Sequence, residues 1–96
     1  MEQCAHSEGY KTIALSNYSH AEGYASEANG GAAHAEGQAT KADGRCSHAE
    51  GDTTIASGNN AHAEGMKSQA TGNNSHAEGY NTQATNGGAH AEGYES

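Results

Sequence analysis

Small and large residues alternate along this chain in short stretches, and the stretches recur. Ser75-His76-Ala77-Glu78-Gly79-Tyr80-Asn81 is followed by Thr82-Gln83-Ala84-Thr85-Asn86-Gly87-Gly88. Both sevens fit small-x-Ala-x-Gly-x-x, with Asn86 standing in for the second Gly. Period two belongs to a β-strand, whose successive side chains point to opposite faces. A seven-residue period also suits a coiled coil, but a and d positions there need Leu, Ile or Val. The repeating positions here are Ala, Ser, Thr and Gly, so the helical reading fails.

Two sevens make the true repeat. Histidine occurs at His6, His20, His34, His48, His62, His76 and His90 and nowhere else, always 14 residues apart. With His as position 1, position 3 is always Glu (Glu8, Glu22, Glu36, Glu50, Glu64, Glu78 and Glu92) and position 4 always Gly. Position 9 is Ala in every copy, and position 14 is only Ala or Ser. A fixed period of this kind dictates a stacked architecture. Positions 14, 2, 7 and 9 carry the small residues and are expected to face inward; positions 1, 3, 8 and 10 are expected to face outward. Gly at positions 4 and 11 ends each strand, because Gly takes positive φ without steric cost. Ser16 replaces Gly at position 11, which predicts an altered turn near Asn17.

The predicted fold is therefore all-β: a single-chain parallel β-roll, or β-solenoid, of 14-residue coils with two short strands and two tight turns each. Residues 1–96 form one domain of about seven coils, which at about 4.8 Å per coil make a rod roughly 34 Å long.

Composition alone points elsewhere. A net charge of −8, 32% hydrophobic residues and no Trp, Phe or Pro resemble a disordered chain. The strict period overrides that signal. The acidic balance argues against a nucleic-acid partner, because no basic patch is present to displace counterions from phosphate. No apolar run reaches membrane-spanning length, so membrane insertion is not expected, and Met1-Glu2-Gln3-Cys4 does not begin a signal peptide.

The Ser-His-Ala-Glu-Gly and Thr-x-Ala-x-Gly pattern resembles the head repeats of trimeric autotransporter adhesins, the YadA-like or Hep/Hag repeats, also found in bacteriophage tail and appendage fibres. The likeness runs from about Cys4 to Ser96. It implies a left-handed roll, three chains side by side as a homotrimer, and a role in adhesion or fibre building at an extracellular surface or on a virion. Related heads often place Val and Ile beside the inward Ala on one strand; here the flanking residues are His and Glu.

Physics also favours self-association. An interior of Ala, Ser and Thr buries little apolar area against roughly 1–2 kcal/mol of backbone ordering per residue, and repeat proteins need their end coils covered. Met1 falls at position 10 and Ser96 at position 7, so two residues complete the phase between successive copies. Head-to-tail stacking into a filament is the alternative assembly.

The His and Glu columns are the sharpest candidates for function. Outward position 8 varies freely (Ile13, Glu27, Lys41, Ile55, Gln69, Gln83), whereas positions 1 and 3 do not vary. They are assigned to an oligomer interface, with a merely solvated face as the first alternative and a metal or anion site on a threefold axis as the lesser one. No cofactor or metal is expected. Pairing on one face should raise the His pKa, lower the Glu pKa, and make the rod most stable near pH 5 to 6. Tyr10, Tyr24, Tyr80 and Tyr94 share position 5 and are candidate contacts for a host-surface protein or glycan. Ice binding is weaker, because the Thr column reads as inward. Ser, His and Glu repeat down the rod without a unique point of convergence, so an enzyme is not expected. Cys4 and Cys46 lie three coils apart, about 14 Å, beyond the roughly 7 Å limit for a disulfide.

Overall fold

The computed structural model describes residues 5–94, so Cys4 and the end phase of Met1 and Ser96 lie outside the described residues. Seven five-residue strands, β1 (His6–Tyr10), β3 (His20–Tyr24), β5 (His34–Gln38), β7 (His48–Asp52), β9 (His62–Met66), β11 (His76–Tyr80) and β13 (His90–Tyr94), form one parallel sheet. Six two-residue strands, β2 (Ile13–Ala14), β4 (Glu27–Ala28), β6 (Lys41–Ala42), β8 (Ile55–Ala56), β10 (Gln69–Ala70) and β12 (Gln83–Ala84), form the second. Every pairing keeps a 14-residue register, as in His6↔His20 and Ala70↔Ala84. The chain is an all-β solenoid of about six turns, 38 × 23 × 10 Å. The described residues contain no helix, hence none long and apolar enough to cross a membrane.

A slab 10 Å thick leaves room for one layer of small side chains from each sheet. The expected inward columns are the buried ones. Ala21, Ala35, Ala49, Ala63 and Ala77 from the long strands meet Ala28, Ala42, Ala56, Ala70 and Ala84 from the short ones. The hydroxyls buried between them are satisfied. Thr40 donates to Ser26 Oγ at 3.0 Å, and Ser26 donates to the Gly37 carbonyl at 3.0 Å. Thr82 and Ser68 repeat this arrangement at 2.9 and 3.1 Å. Ser47 and Ser75, just before the His, reach back to the Gly44 and Gly72 carbonyls at 2.7 and 2.6 Å and tie the turn to the strand. Among the described residues, the small polar side chains therefore fill the interior without orphaned hydroxyls, which would otherwise cost about 1–3 kcal/mol each.

The turns correct one expectation. Gly at position 4 does take positive φ (109° at Gly51), and a Cβ there would lie 2.1 Å from the Gly65 carbonyl oxygen in the next coil. Gly30, Gly44, Gly58 and Gly72 at position 11 are not in the left-handed region. Their requirement is proximity: a Cβ on Gly44 would sit 2.0 Å from the Gly58 oxygen. Left-handed backbone falls instead at position 13 (Tyr18, Ala32, Cys46, Asn60, Asn74, Gly88) and position 6 (Lys11, Ala25, Ala39, Thr53, Lys67, Asn81). Eight of these twelve residues are neither Gly nor Asn, so strain is spread along both turn columns. Inter-coil bonds hold them there, such as Ala39 N to the Tyr24 carbonyl at 2.8 Å and Cys46 N to the Gly31 carbonyl at 2.8 Å.

The altered turn expected near Asn17 is not found. Tyr18 has a φ of 62°, Ser19 N donates to the Ser16 carbonyl at 3.2 Å and Ala32 N to the Asn17 carbonyl at 2.9 Å, as in the other coils. Only the position-11 amide differs. Gly30, Gly44, Gly58 and Gly72 donate their amides to Ala42, Ala56, Ala70 and Ala84, and Ser16 makes no equivalent bond. Its hydroxyl donates to the Asn29 carbonyl at 2.6 Å instead.

Candidate functional site

Parallel pairing at a 14-residue register puts identical residues directly above one another on the outer face of the long sheet. Imidazole rings from His6 to His90 stack in one column, with centroids 4.7–4.8 Å apart and planes within 3–23° of parallel. Two residues further along each strand, the Glu column runs beside them. Each Nε2 lies 2.9–3.2 Å from Oε1 of its own strand's Glu. The pairs of β3 to β11 are about one-third exposed, and those of β1 and β13 more than half. Outward placement of both columns therefore agrees with the alternation read from the sequence.

Electrostatics departs from simple ion pairing. Adjacent carboxylates at strand spacing repel, and sharing protons along the column relieves that repulsion. Hydrogen bonding to Glu64 and Glu36, then burial, pushes Glu50 from 4.5 up to about 7. Glu78 is also raised, first by its hydrogen bond with Glu64. Their neighbours shift the other way: Glu36 and Glu64 are lowered chiefly by hydrogen bonding to Glu50, and Glu92 chiefly by Glu78. Raised and lowered carboxyl groups thus alternate from Glu36 to Glu92. Glu8 is lowered by its bond to His6.

His48 is lowered by burial and then by the charges of His62 and His34, against the expected rise. His48 and Glu50 both shift toward their uncharged forms, so their 3.2 Å contact is not an ion pair. His48 Nε2 is buried and lacks a hydrogen-bond partner there, because the approach is close but poorly aligned.

An open groove follows the Glu column along the rod, from Glu8 and Gly9 at one end to Glu92 and Gly93 at the other. Sequence reading named its Glu wall but not its glycine floor; the invariant Gly after each Glu was the available signal. The column also gathers metal donors. Groups such as His34, Glu36 and His48 bring one ligand atom each within 4.8 Å of one another.

Other candidates are placed differently. The position-5 tyrosines form two separate stacks, Tyr10 on Tyr24 at 5.2 Å and Tyr80 on Tyr94 at 4.9 Å, because Gln38, Asp52 and Met66 interrupt the column. All four are exposed. The Ser47 hydroxyl points inward to Gly44 while His48 lies on the outer face, so the two do not act together. Cys46 is exposed with a free thiol. No family model, curated protein or solved structure matches the chain.

Proposed function

We propose that the chain is a structural and adhesive module, part of a fibre or fibre head, that presents a rigid, acidic, repetitive surface and assembles as a homotrimer. What carries this reading is the outer face of the long sheet: seven identical His–Glu rungs in unbroken register, on a slab too thin to hold a deep pocket. Polar groups repeated at 4.7–4.8 Å suit contact with an equally periodic surface, and a second copy of the same chain is such a surface. Fibres and adhesive heads of this kind act at an extracellular surface or on a virion. There the exposed Tyr10–Tyr24 and Tyr80–Tyr94 stacks would meet a host protein or glycan, aromatic rings being favoured contact residues.

Solution mass by light scattering tests the assembly. Three chains per particle is the expected result, and a folded monomer at all concentrations refutes it. The filament is the second reading, favoured by one feature. In a solenoid of constant register, the outer edge of β1 displays the backbone groups that pair with the outer edge of β13. Fibres of indefinite length in electron micrographs would select it over the trimer.

A further inference from the structure

Among the described residues, the four side-chain cations Lys11, Lys41, Arg45 and Lys67 lie in turns or on the short sheet. None belongs to the long-sheet face, where the seven carboxylates stand in a row. Beside those carboxylates stands a column of imidazoles, and the two donor types are interleaved rung by rung. One imidazole atom, His48 Nε2, is buried without a hydrogen-bond partner. Interleaved imidazole and carboxylate donors are a ligand set for zinc and its neighbours, not for calcium or magnesium, which take oxygen alone.

We propose that this face binds divalent transition-metal ions, zinc fitting best, at up to three sites per chain, each spanning two neighbouring coils. His34, Glu36 and His48 form the first site, His62, Glu64 and His76 the second, and Glu78, His90 and Glu92 the third; within each, the ligand atoms lie within 4.8 Å of one another. His20, Glu22 and His34 are equally close, but they need the same His34 and so compete with the first site. Because one side chain cannot serve two ions, three is the ceiling; the second and third sites draw different residues, His76 and Glu78, from the same strand. Zinc bonds of about 2.0–2.2 Å require donors roughly 3.3 Å apart. Side chains one-third exposed in the first two sites and up to more than half exposed in the third, anchored on a fixed backbone register, close that gap by small rotations. Three protein donors leave a fourth position for water or for a group on another molecule. The inference does not depend on the homotrimer.

The test is zinc titration of the chelator-treated chain by calorimetry, with cobalt(II) as a spectroscopic substitute and light scattering on the same samples. Saturable uptake approaching three ions per chain, a tetrahedral cobalt spectrum and unchanged mass are expected. The double variant His62→Gln, His76→Gln should lose one ion per chain, whereas Gln69→Ala on the opposite sheet should lose none. If circular dichroism shows the double variant unfolded, Glu64→Gln, which keeps both imidazoles, should weaken one site at least tenfold. Absence of saturable uptake by the unaltered chain overturns the proposal. So does undiminished stoichiometry and affinity in the folded variants, or uptake of one ion or fewer per chain accompanied by a rise in mass, which would place the donors between chains.

Discussion

The two sheets share one register and one interior, yet they differ in what faces out. On the long sheet, five residues pair per rung, and His and Glu stack on copies of themselves from β1 to β13. On the short sheet only two residues pair per rung, and the outward one changes from Ile to Glu to Lys to Gln. Identical neighbours at strand spacing build ladders: ring stacks, coupled carboxyl groups, clustered donors. Mixed neighbours on the short sheet build no such ladder among the described residues; in the turn column beside it like residues do meet, as Asn60 and Asn74 do at 3.1 Å. The short sheet is sufficient to close the coil. The long sheet carries the chemistry.

The strongest way to break both sheets at once is to force coils apart. Gly51→Ala should abolish cooperative folding, since its Cβ combines a φ of 109° with a 2.1 Å approach to Gly65. Gly87→Ala, whose Cβ would find only the Asn73 oxygen at 3.7 Å, should fold normally by circular dichroism. Similar melting curves for these two variants would contradict the stacking geometry.

Next in size is overpacking from the short-sheet side. Ala56 is fully buried, and Ala56→Leu should destabilise by about 3 kcal/mol or more, enough to unfold a thin solenoid. Thr85→Leu, on an exposed position, should shift denaturant stability by less than about 0.5 kcal/mol. Comparable losses would reverse the inward and outward assignment.

Between the outer faces the contrast is smaller. His62→Ala removes a ring stacked on both neighbours and a 3.2 Å bond to Glu64, and should cost about 1 kcal/mol. Gln69→Ala, the corresponding short-sheet change, should cost about 0.5 kcal/mol or less. Equal costs would mean the stacked column adds no stability.

The smallest effect concerns pH, measured with metal removed by chelator. Glu50 has a raised folded pKa, so its contribution is fully present below 4.5 and is lost as pH rises through about 7. His48 has a lowered pKa, so its contribution is present above 6.5 and is lost as pH falls through its folded value. The two oppose each other between 4.5 and 7, and a shallow profile results there. Glu36 and Glu64 are lowered, so their contributions are present above 4.5 and vanish as pH falls through their folded values, giving a steeper loss in acid. Glu50→Gln imitates the protonated acid. It should raise stability at pH 8 by about 1 kcal/mol or less, the site being one-third exposed, and leave pH 4.5 nearly unchanged. A loss at pH 8 would argue against proton sharing along the column.

Strand, period and facing were all written in the chain. Alternation of Ala with larger residues is a property of each short stretch, and the fixed interval of His6, His20 and their successors sets the coil length. Which turn residue turns left-handed was not. Gly44 was read as a dihedral requirement, but its constraint is a carbonyl 14 residues away, and only closure of the coil sets that distance. Cys46 and Thr53 adopt positive φ because inter-coil bonds hold them, a force no local pattern encodes. The His–Glu pairs were visible as neighbours along one strand, whereas the opposing carboxyl shifts arise between strands, from Glu residues of different coils. Local stereochemistry is readable in sequence; contacts across coils exist only once the chain has stacked.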